Sequence, residues 1–145
     1  MEIIIMRHGE AQPLNGDKVL SNLGREQVQH SAQQLAGLHF EAAFCSPKTR
    51  ARQTAELVLA AQDSQLALNI SESLQPESEP ESFLGELFAQ FSREGACRVL
   101  VVSHLPLVAR LCESLHCPEA AGGFAPAAFV RLSYDSTHRS FVATR

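Results

Sequence analysis

The stretch RVLVVS, residues 98–103, is the clearest structural signal in the sequence. It is short, rich in valine and apolar almost without interruption, which is typical of a strand buried on both faces of a parallel sheet. Three other stretches are predicted as strands: EIIIM at 2–6 as a short buried strand, FEAAFC at 40–45 as a second strand, and LALNI at 66–70 as a short third one. These strands are therefore predicted to form one mostly parallel sheet.

Segments with apolar residues at helical spacing separate the strands. Ser21 or Asn22 is expected to cap the first helix, and Ser46 followed by Pro47 has the form of an N-cap and a first-turn proline. Four helices are predicted, over about residues 22–37, 46–61, 81–94 and 105–116. Residues 127–135 and 139–145 are predicted to close the chain as an antiparallel hairpin. This alternation predicts an α/β fold, a three-layer α/β/α sandwich with a mostly parallel central sheet, in one domain spanning 1–145.

Two polar segments are predicted as surface loops. The first follows the opening strand and carries Pro13, Asn15, Gly16 and Asp17, and the second is ESLQPESEPES at 72–82. Neither segment has the apolar periodicity of a helix or strand.

The composition excludes several classes of partner. The formal charge is −4 and the pI about 5.8, so no general attraction to nucleic acid or to an anionic membrane is expected. No run approaches the roughly 20 apolar residues that a membrane span needs. The start MEIIIMRHGE lacks a basic n-region and a cleavage site, so we expect no signal peptide. Four scattered cysteines without an export signal indicate reduced thiols and a cytoplasmic protein.

Cys112, His116 and Cys117 are close enough in sequence to suggest a metal site. A helix end with core cysteines also explains this spacing, and no fourth ligand is obvious. We therefore expect the protein to need neither a metal ion nor another cofactor.

Chemically active side chains follow three of the predicted strands. The first strand ends in Arg7, His8 and Gly9, the second leads after one helical turn to Arg50, and RVLVVS is followed by His104. In open parallel sheets, ligands bind outside the carboxyl ends of the strands. Two arginines and two histidines are thus predicted to meet at one edge of the sheet.

This set of side chains fits a phosphoryl group. Guanidinium groups bind phosphate oxygens bidentately, so Arg7 and Arg50 would hold the anion. His8, at a turn loosened by Gly9, could attack phosphorus and form a covalent phosphohistidine. A protonated His104 would stabilise the transferring group, and no metal would be required.

The same residues carry a family resemblance. MRHGE at 6–10, SPKTRARQTA at 46–55 and VVSHLPLV at 101–108 are similar, in order and spacing, to three signatures of the histidine phosphatase superfamily with its phosphoglycerate mutase-like fold. The small size and SHLPLV resemble the SixA-type phosphohistidine phosphatases most. The resemblance implies a hydrolase, active in protein dephosphorylation and phosphorelay signalling, whose substrate is a phosphohistidine-bearing protein.

The resemblance also assigns roles to individual residues. It implies that His8 is the nucleophile and that Arg7, Arg50 and His104 complete the phosphate pocket, with Gly9 also among the phosphate-binding residues. Lys18 stands where SixA-type members have a basic residue, so it is a further candidate contact for the phosphate. Arg52 is two positions from Arg50 and points to a different helical face, so we leave it out of the pocket.

One departure from the family leaves the proton donor open. Larger members have a glutamate in the middle of the chain that protonates the leaving oxygen, whereas this region carries four loop glutamates outside any motif. Glu77 is the best candidate acid, and a solvated surface carboxylate is the alternative. An acid is less necessary when the leaving group is imidazole, because protonated phosphohistidine expels a neutral ring. A phosphatase of small phosphomonoesters and a non-catalytic phosphate-binding module stay open as alternatives.

Overall fold

The computed structural model describes residues 1–144. These residues form the strands β1 Glu2–Arg7, β2 Ala11–Leu14, β3 Asp17–Leu20, β4 Ala42–Cys45, β5 Leu68–Ile70, β6 Arg98–Ser103, β7 Phe129–Asp135 and β8 Ser140–Thr144. The helices are α1 Asn22–Leu35, α2 Thr49–Ala61, α3 Pro80–Gln90 and α4 Leu107–Ser114.

A six-stranded sheet in the order β5-β4-β6-β1-β7-β8 forms the centre of the structure. The first four of these strands are parallel, and the hairpin β7-β8 adds to β1 antiparallel. The opening strand β1 therefore lies inside the sheet, paired with β6 on one side and β7 on the other. Its last residue, Arg7, is level with Ser103 at the end of β6.

Strands β1, β4 and β6 are buried on both faces, as their continuous hydrophobic sequences predict, whereas β5 at the edge of the sheet is largely exposed. In β1, Ile3 and Ile5 pack into the core beneath α3 and α4, whereas Ile4 and Met6 pack into the core beneath α1 and α2. This alternation follows from the two-residue period of a strand. The predicted three-layer α/β/α sandwich with a mostly parallel sheet is confirmed.

The first polar segment is not the loop that the sequence suggested. Residues 11–14 and 17–20 form the hairpin β2-β3, and Asn15 and Gly16 occupy its turn with φ of 50° and 80°. Asn-Gly is a strong signal for such a two-residue turn, because both positions need positive φ. The strands escaped prediction because their exposed side chains show no apolar alternation.

The helix boundaries also differ from the predicted ones. Helix α2 begins at Thr49 with Lys48 as its N-cap, so Ser46 and Pro47 precede it instead of opening it. Helix α3 ends at Gln90, and a turn closed by the Gly95 N–H on the Ser92 carbonyl follows. The predicted final strand is confirmed as β8, Ser140–Thr144. Residue 145, which the prediction included, lies outside the described residues.

The cysteines near the end of α4 belong to the core. Cys112 and Cys117 are fully buried, and the Cys117 thiol donates to the Phe141 carbonyl at 3.1 Å. Burial raises the pKa of Cys112 to about 12, while His116 is exposed. Within residues 1–144, no three His, Cys, Asp or Glu side chains come together as a metal site. None of the described helices combines the length and apolar character that crossing a membrane requires.

Candidate active site

The carboxyl ends of β1, β4 and β6 bring the predicted residues to one edge of the sheet. The His8 N–H donates to the Ser103 carbonyl at 3.1 Å, and the Ser46 N–H donates to the Val102 carbonyl at 3.1 Å. These backbone bonds continue the sheet one residue beyond each strand. The loop residues that carry the chemistry are therefore held as firmly as the strands themselves.

His8 is oriented by hydrogen bonds at both ring nitrogens. Its Nδ1 lies 2.7 Å from the Gly9 carbonyl, which can only accept, so Nδ1 carries the proton. Its Nε2 is then unprotonated, and it accepts a bond from Arg50 Nε at 3.3 Å. His8 therefore presents a lone pair toward a guanidinium group, as a nucleophile for a bound anion requires.

His104 lies beside His8, with ring centroids 5.0 Å apart and an interplanar angle of 65°. Its Nε2 is 2.8 Å from the hydroxyl of Ser46, which is fully buried and also accepts the Lys48 N–H at 3.2 Å. The Ser46 O–H can donate to Nε2, and in that tautomer the proton of neutral His104 resides on Nδ1.

Two buried polar atoms at this edge lack a partner among residues 1–144: Arg7 Nε and His104 Nδ1. The Arg7 Nη1 is fixed by the Phe124 carbonyl at 2.8 Å, so the guanidinium cannot turn to satisfy Nε elsewhere. Leaving a buried hydrogen-bond donor without an acceptor costs about 1–3 kcal/mol, so buried polar atoms without a partner need an explanation. A tetrahedral oxyanion between Arg7, Arg50 and His104 would satisfy both.

Close packing below His8 fixes the loop that carries it. The Gly9 N–H donates to the Thr54 hydroxyl at 3.2 Å, and that hydroxyl donates to the Arg50 carbonyl at 2.8 Å. A Cβ on Gly9 would lie 2.7 Å from the Gly24 carbonyl oxygen and 2.8 Å from a Val28 methyl. Only glycine fits at position 9. Packing therefore explains the presence of Gly9, which was predicted from the sequence as a phosphate-binding residue.

An open cleft of about 430 Å³ leads to Arg50 between the β2-β3 hairpin and the start of α2. It is lined by Pro13, Gly16, Asp17, Lys18, Lys48 and Arg50. A larger groove of about 650 Å³ among the described residues lies between α3 and the β7-β8 hairpin and contains none of the predicted site residues. The smaller cleft leads to the candidate site, because it is lined by Lys18 and by Arg50, which contacts His8 Nε2.

Both histidines are uncharged in the free site. Burial, followed by the charges of Arg50, Arg7 and Lys18, lowers the pKa of His8 to about 4 against the opposing Gly9 hydrogen bond. Burial and then the neighbouring His8 lower the pKa of His104 to about 3. A protonated His104, as the sequence predicts, does not match this low pKa, but a neutral ring with its proton on Nδ1 also supplies a donor.

The other sequence candidates have different positions. Lys18 lines the cleft and is near enough to lower the His8 pKa, whereas Arg52 is exposed on α2 outside it. Glu77 is exposed in the loop after β5, and its carboxylate makes no hydrogen bond with any described residue. Sequence reasoning missed two contributors, Lys48 at the cleft and the Ser46 hydroxyl on His104. The SPK triplet at 46–48 holds both, but it was interpreted only as a helix start.

Comparisons with known proteins place these residues in a family context. The sequence model of the histidine phosphatase superfamily (branch 1) matches residues 3–76. The phosphohistidine phosphatase SixA homolog of Haemophilus influenzae is 34% identical, with 93% of this chain and 89% of that protein covered.

Solved structures extend the likeness over the whole fold. The structure of the protein histidine phosphatase SixA complexed with tungstate superposes with a TM-score of 0.86 at 28% identity, covering 100% of this chain and 95% of that one. A phosphoglycerate mutase from Bacillus anthracis has a TM-score of 0.81 at 18% identity, over 99% of this chain and 91% of that one. At that identity the mutase shows only that the fold is shared.

Proposed function

Because the chain belongs to the histidine phosphatase superfamily and is a phosphatase, we propose that it dephosphorylates phosphohistidine in a protein through a covalent intermediate on His8. The observation that carries the proposal is the unprotonated Nε2 of His8, facing Arg50 beside two buried nitrogen atoms that lack a hydrogen-bond partner, Arg7 Nε and His104 Nδ1. Such an arrangement supplies a nucleophile and an oxyanion receptor at the same point.

The first step transfers the phosphoryl group to His8. The Nε2 lone pair forms a bond to phosphorus as the P–N bond of the substrate breaks, and the protonated substrate imidazole departs as a neutral ring. Arg7 Nε, Arg50 and the Nδ1–H of His104 donate to the three phosphoryl oxygens. Because these donors are already fixed, they stabilise the transition state without reorganising.

The second step releases inorganic phosphate. His8 keeps its Nδ1–H on the Gly9 carbonyl, so the phosphoenzyme is itself a protonated phosphohistidine. Water attacks phosphorus, the Nε2–P bond breaks, and the pair of electrons returns to a neutral His8. The water protons leave with the phosphate as H₂PO₄⁻. No proton donor beyond the two imidazoles is needed, which agrees with the exposed position of Glu77.

Two further observations support the proposal, the first bearing on the oxyanion and the second on the size of the substrate. The SixA structure was solved with tungstate, a tetrahedral oxyanion like phosphate. The candidate cleft is open toward solvent at Pro13 and Gly16, so a phosphate attached to a protein can enter it. We place this reaction in the cytoplasm, in a phosphorelay, where the buried thiols stay reduced.

A turnover assay in EDTA tests the proposal. One substrate is a phosphotransfer domain phosphorylated on histidine, and the other is a panel of phosphomonoesters. We expect rapid loss of protein phosphohistidine, slow ester hydrolysis, and an acid-labile, base-stable phosphoenzyme in the wild type. His8→Ala should fold normally and lack both turnover and phosphoenzyme, whereas the exposed His30→Ala should retain both.

The assay also separates the alternatives. Fast ester hydrolysis that Glu77→Gln abolishes would favour a phosphatase of small phosphomonoesters with Glu77 as its acid. Phosphate binding without turnover on either substrate would indicate a binding module instead.

A further inference from the structure

Most of the exposed large apolar side chains are next to the candidate site in the chain or in strand register. Five large hydrophobic side chains of residues 1–144 are 40% to 53% exposed. Of these, Ile70 ends β5 and Leu105 follows β6, whereas Leu14 ends β2 of the hairpin and Leu23 lies in the first turn of α1. The fifth, Val142 in β8, is level with Ser133, which pairs with Glu2 near the opposite edge.

Each of the four residues adjoins, in the chain or in strand register, a residue of the candidate site or of the loops that carry it. Leu105 follows His104 directly, and Leu14 follows Pro13, which lines the cleft. Leu23 precedes Gly24, which packs against Glu10 and Gly9.

Ile70 ends β5 and is level with Cys45, immediately before Ser46. The apolar residues thus come from four separate parts of the chain, each next to a residue of the site or of its loops. Single exposed leucines are common on proteins, but such a concentration around a reaction site indicates an interaction surface.

A small phosphate ester cannot use this surface. The cleft itself is lined by polar residues and by Pro13, and none of the four apolar side chains is part of its lining. A ligand that fills the cleft would leave all four in water. Only a partner much larger than the cleft can cover them while its phosphoryl group reaches His8.

The charges beside the opening specify the partner further. Lys18 and Lys48 are exposed on the side of the β2-β3 hairpin and α2, although the chain as a whole carries a net charge of −4. The acidic segment 72–81 adjoins the end of β6, where the Leu74 carbonyl accepts a hydrogen bond from the Ser103 hydroxyl, and its Glu79 is paired with Arg110. The exposed lysines and the acidic segment belong to different elements next to the site, and such an uneven charge distribution favours one orientation of a charged partner.

We propose that Leu14, Leu23, Ile70 and Leu105 form a docking surface for the phosphohistidine-bearing protein. The matching surface of that partner is apolar next to the phosphorylated histidine and carries carboxylates on the side that meets Lys18 and Lys48. This inference rests on the proposed function and adds which residues recognise the substrate protein.

Two substrates with the same scissile P–N bond test the inference. One is the histidine-phosphorylated phosphotransfer domain. The other is phosphoramidate, which is too small to reach the four apolar side chains of the docking surface. In the double variant Leu14→Ser/Ile70→Ser, we expect kcat/KM for the protein to fall about tenfold or more, the loss typical of removing apolar contacts from an interface. The value for phosphoramidate should stay at the wild-type level, which also reports that the site is correctly folded.

Val142→Ser is the matched control, because it removes an equally exposed apolar side chain far from the opening. It should leave both substrates unaffected. An equal kcat/KM for the protein in wild type and double variant would overturn the docking surface while leaving the proposed function intact. Failure of the wild type to dephosphorylate the protein at all would instead refute the proposed function, and the docking surface with it.

Discussion

The imidazole rings of His8 and His104 meet edge to face, with their centroids 5.0 Å apart. Two cations at this distance inside a buried site beside Arg7 and Arg50 would repel strongly. Burial and these neighbours instead keep both rings neutral, with pKa values of about 4 and about 3. The nucleophile is therefore ready to react at neutral pH without a base to deprotonate it.

The titration of His8 gives the first prediction. Its imidazole resonances, followed by NMR in the free enzyme, should titrate near pH 4 and not near the ordinary 6.5. Inorganic phosphate should raise this midpoint, because a bound anion favours the charged ring. A midpoint near 6.5 in the phosphate-free protein would contradict the buried, cation-flanked environment.

A second prediction concerns stability. Because the folded pKa of His8 lies below the unfolded value, the unfolded chain binds more protons between pH 6.5 and pH 4, and stability falls as the pH falls through that window. The variant His8→Asn cannot take up this proton. Between pH 7.5 and pH 5 its free energy of unfolding should therefore fall by about 2 kcal/mol less than that of the wild type.

Urea unfolding at the two pH values measures this difference. The catalytically dead variant should be the more stable protein at pH 5, provided that the two are similar at pH 7.5. Parallel pH dependence in variant and wild type would mean that His8 is protonated as easily in the folded state as in the unfolded one.

Arg50 and Arg52, two residues apart on α2, should differ sharply in their effect on catalysis. Arg50→Ala removes a group that contacts His8 Nε2, and it should lower kcat/KM about 100-fold or more, as loss of a preorganised oxyanion donor does. Arg7→Ala should act similarly and also weaken inhibition by inorganic phosphate. Arg52→Ala, two residues further along α2 and exposed, is the control and should be silent. A comparable loss in Arg52→Ala would show that general positive charge matters more than placement.

Ser46 should act through His104 without touching the substrate. Ser46→Ala removes the 2.8 Å hydrogen bond that holds the His104 tautomer, and kcat should fall about tenfold, corresponding to roughly 1.4 kcal/mol, with little change in KM. Ser71→Ala, another buried serine whose hydroxyl bonds Glu86 instead, should leave kcat unchanged. If KM rose while kcat stayed constant, Ser46 would be a binding residue and not a positioning residue.

Alanine substitutions at Gly9 and Gly85 form a matched pair that tests the packing below His8. Gly9→Ala places a methyl group against the Gly24 carbonyl and Val28, so it should cost about 1–3 kcal/mol of unfolding free energy and displace His8. Gly85→Ala meets nothing within 4 Å in the interior of α3 and should stabilise by about 0.5–1 kcal/mol through helix propensity. Thermal unfolding measures the stability of both variants. A Gly9→Ala variant as stable as the wild type would contradict the tight packing below His8.

Continuous apolar strands and the positions of Arg7, His8 and His104 could be predicted, because a strand exit fixes its residues by backbone geometry alone. The hydrogen-bonding role of Ser46 could not be predicted in the same way. Its sequence context fits a helix cap, and only the packing of β4 beside β6 brings its hydroxyl to His104. The β2-β3 hairpin was missed for a related reason. Its strands are exposed, so their pairing depends on the turn and not on an apolar pattern.

The interior position of β1 has a consequence for how the protein loses activity. His8 follows a strand bonded to neighbours on both sides, and its own amide is bonded to β6. Amide protons there should exchange only through global unfolding, whereas frayed edges exchange through smaller openings. Denaturant should thus abolish catalysis and secondary structure in one coincident transition. Turnover then becomes a sensitive assay of the folded fraction in a mixed population.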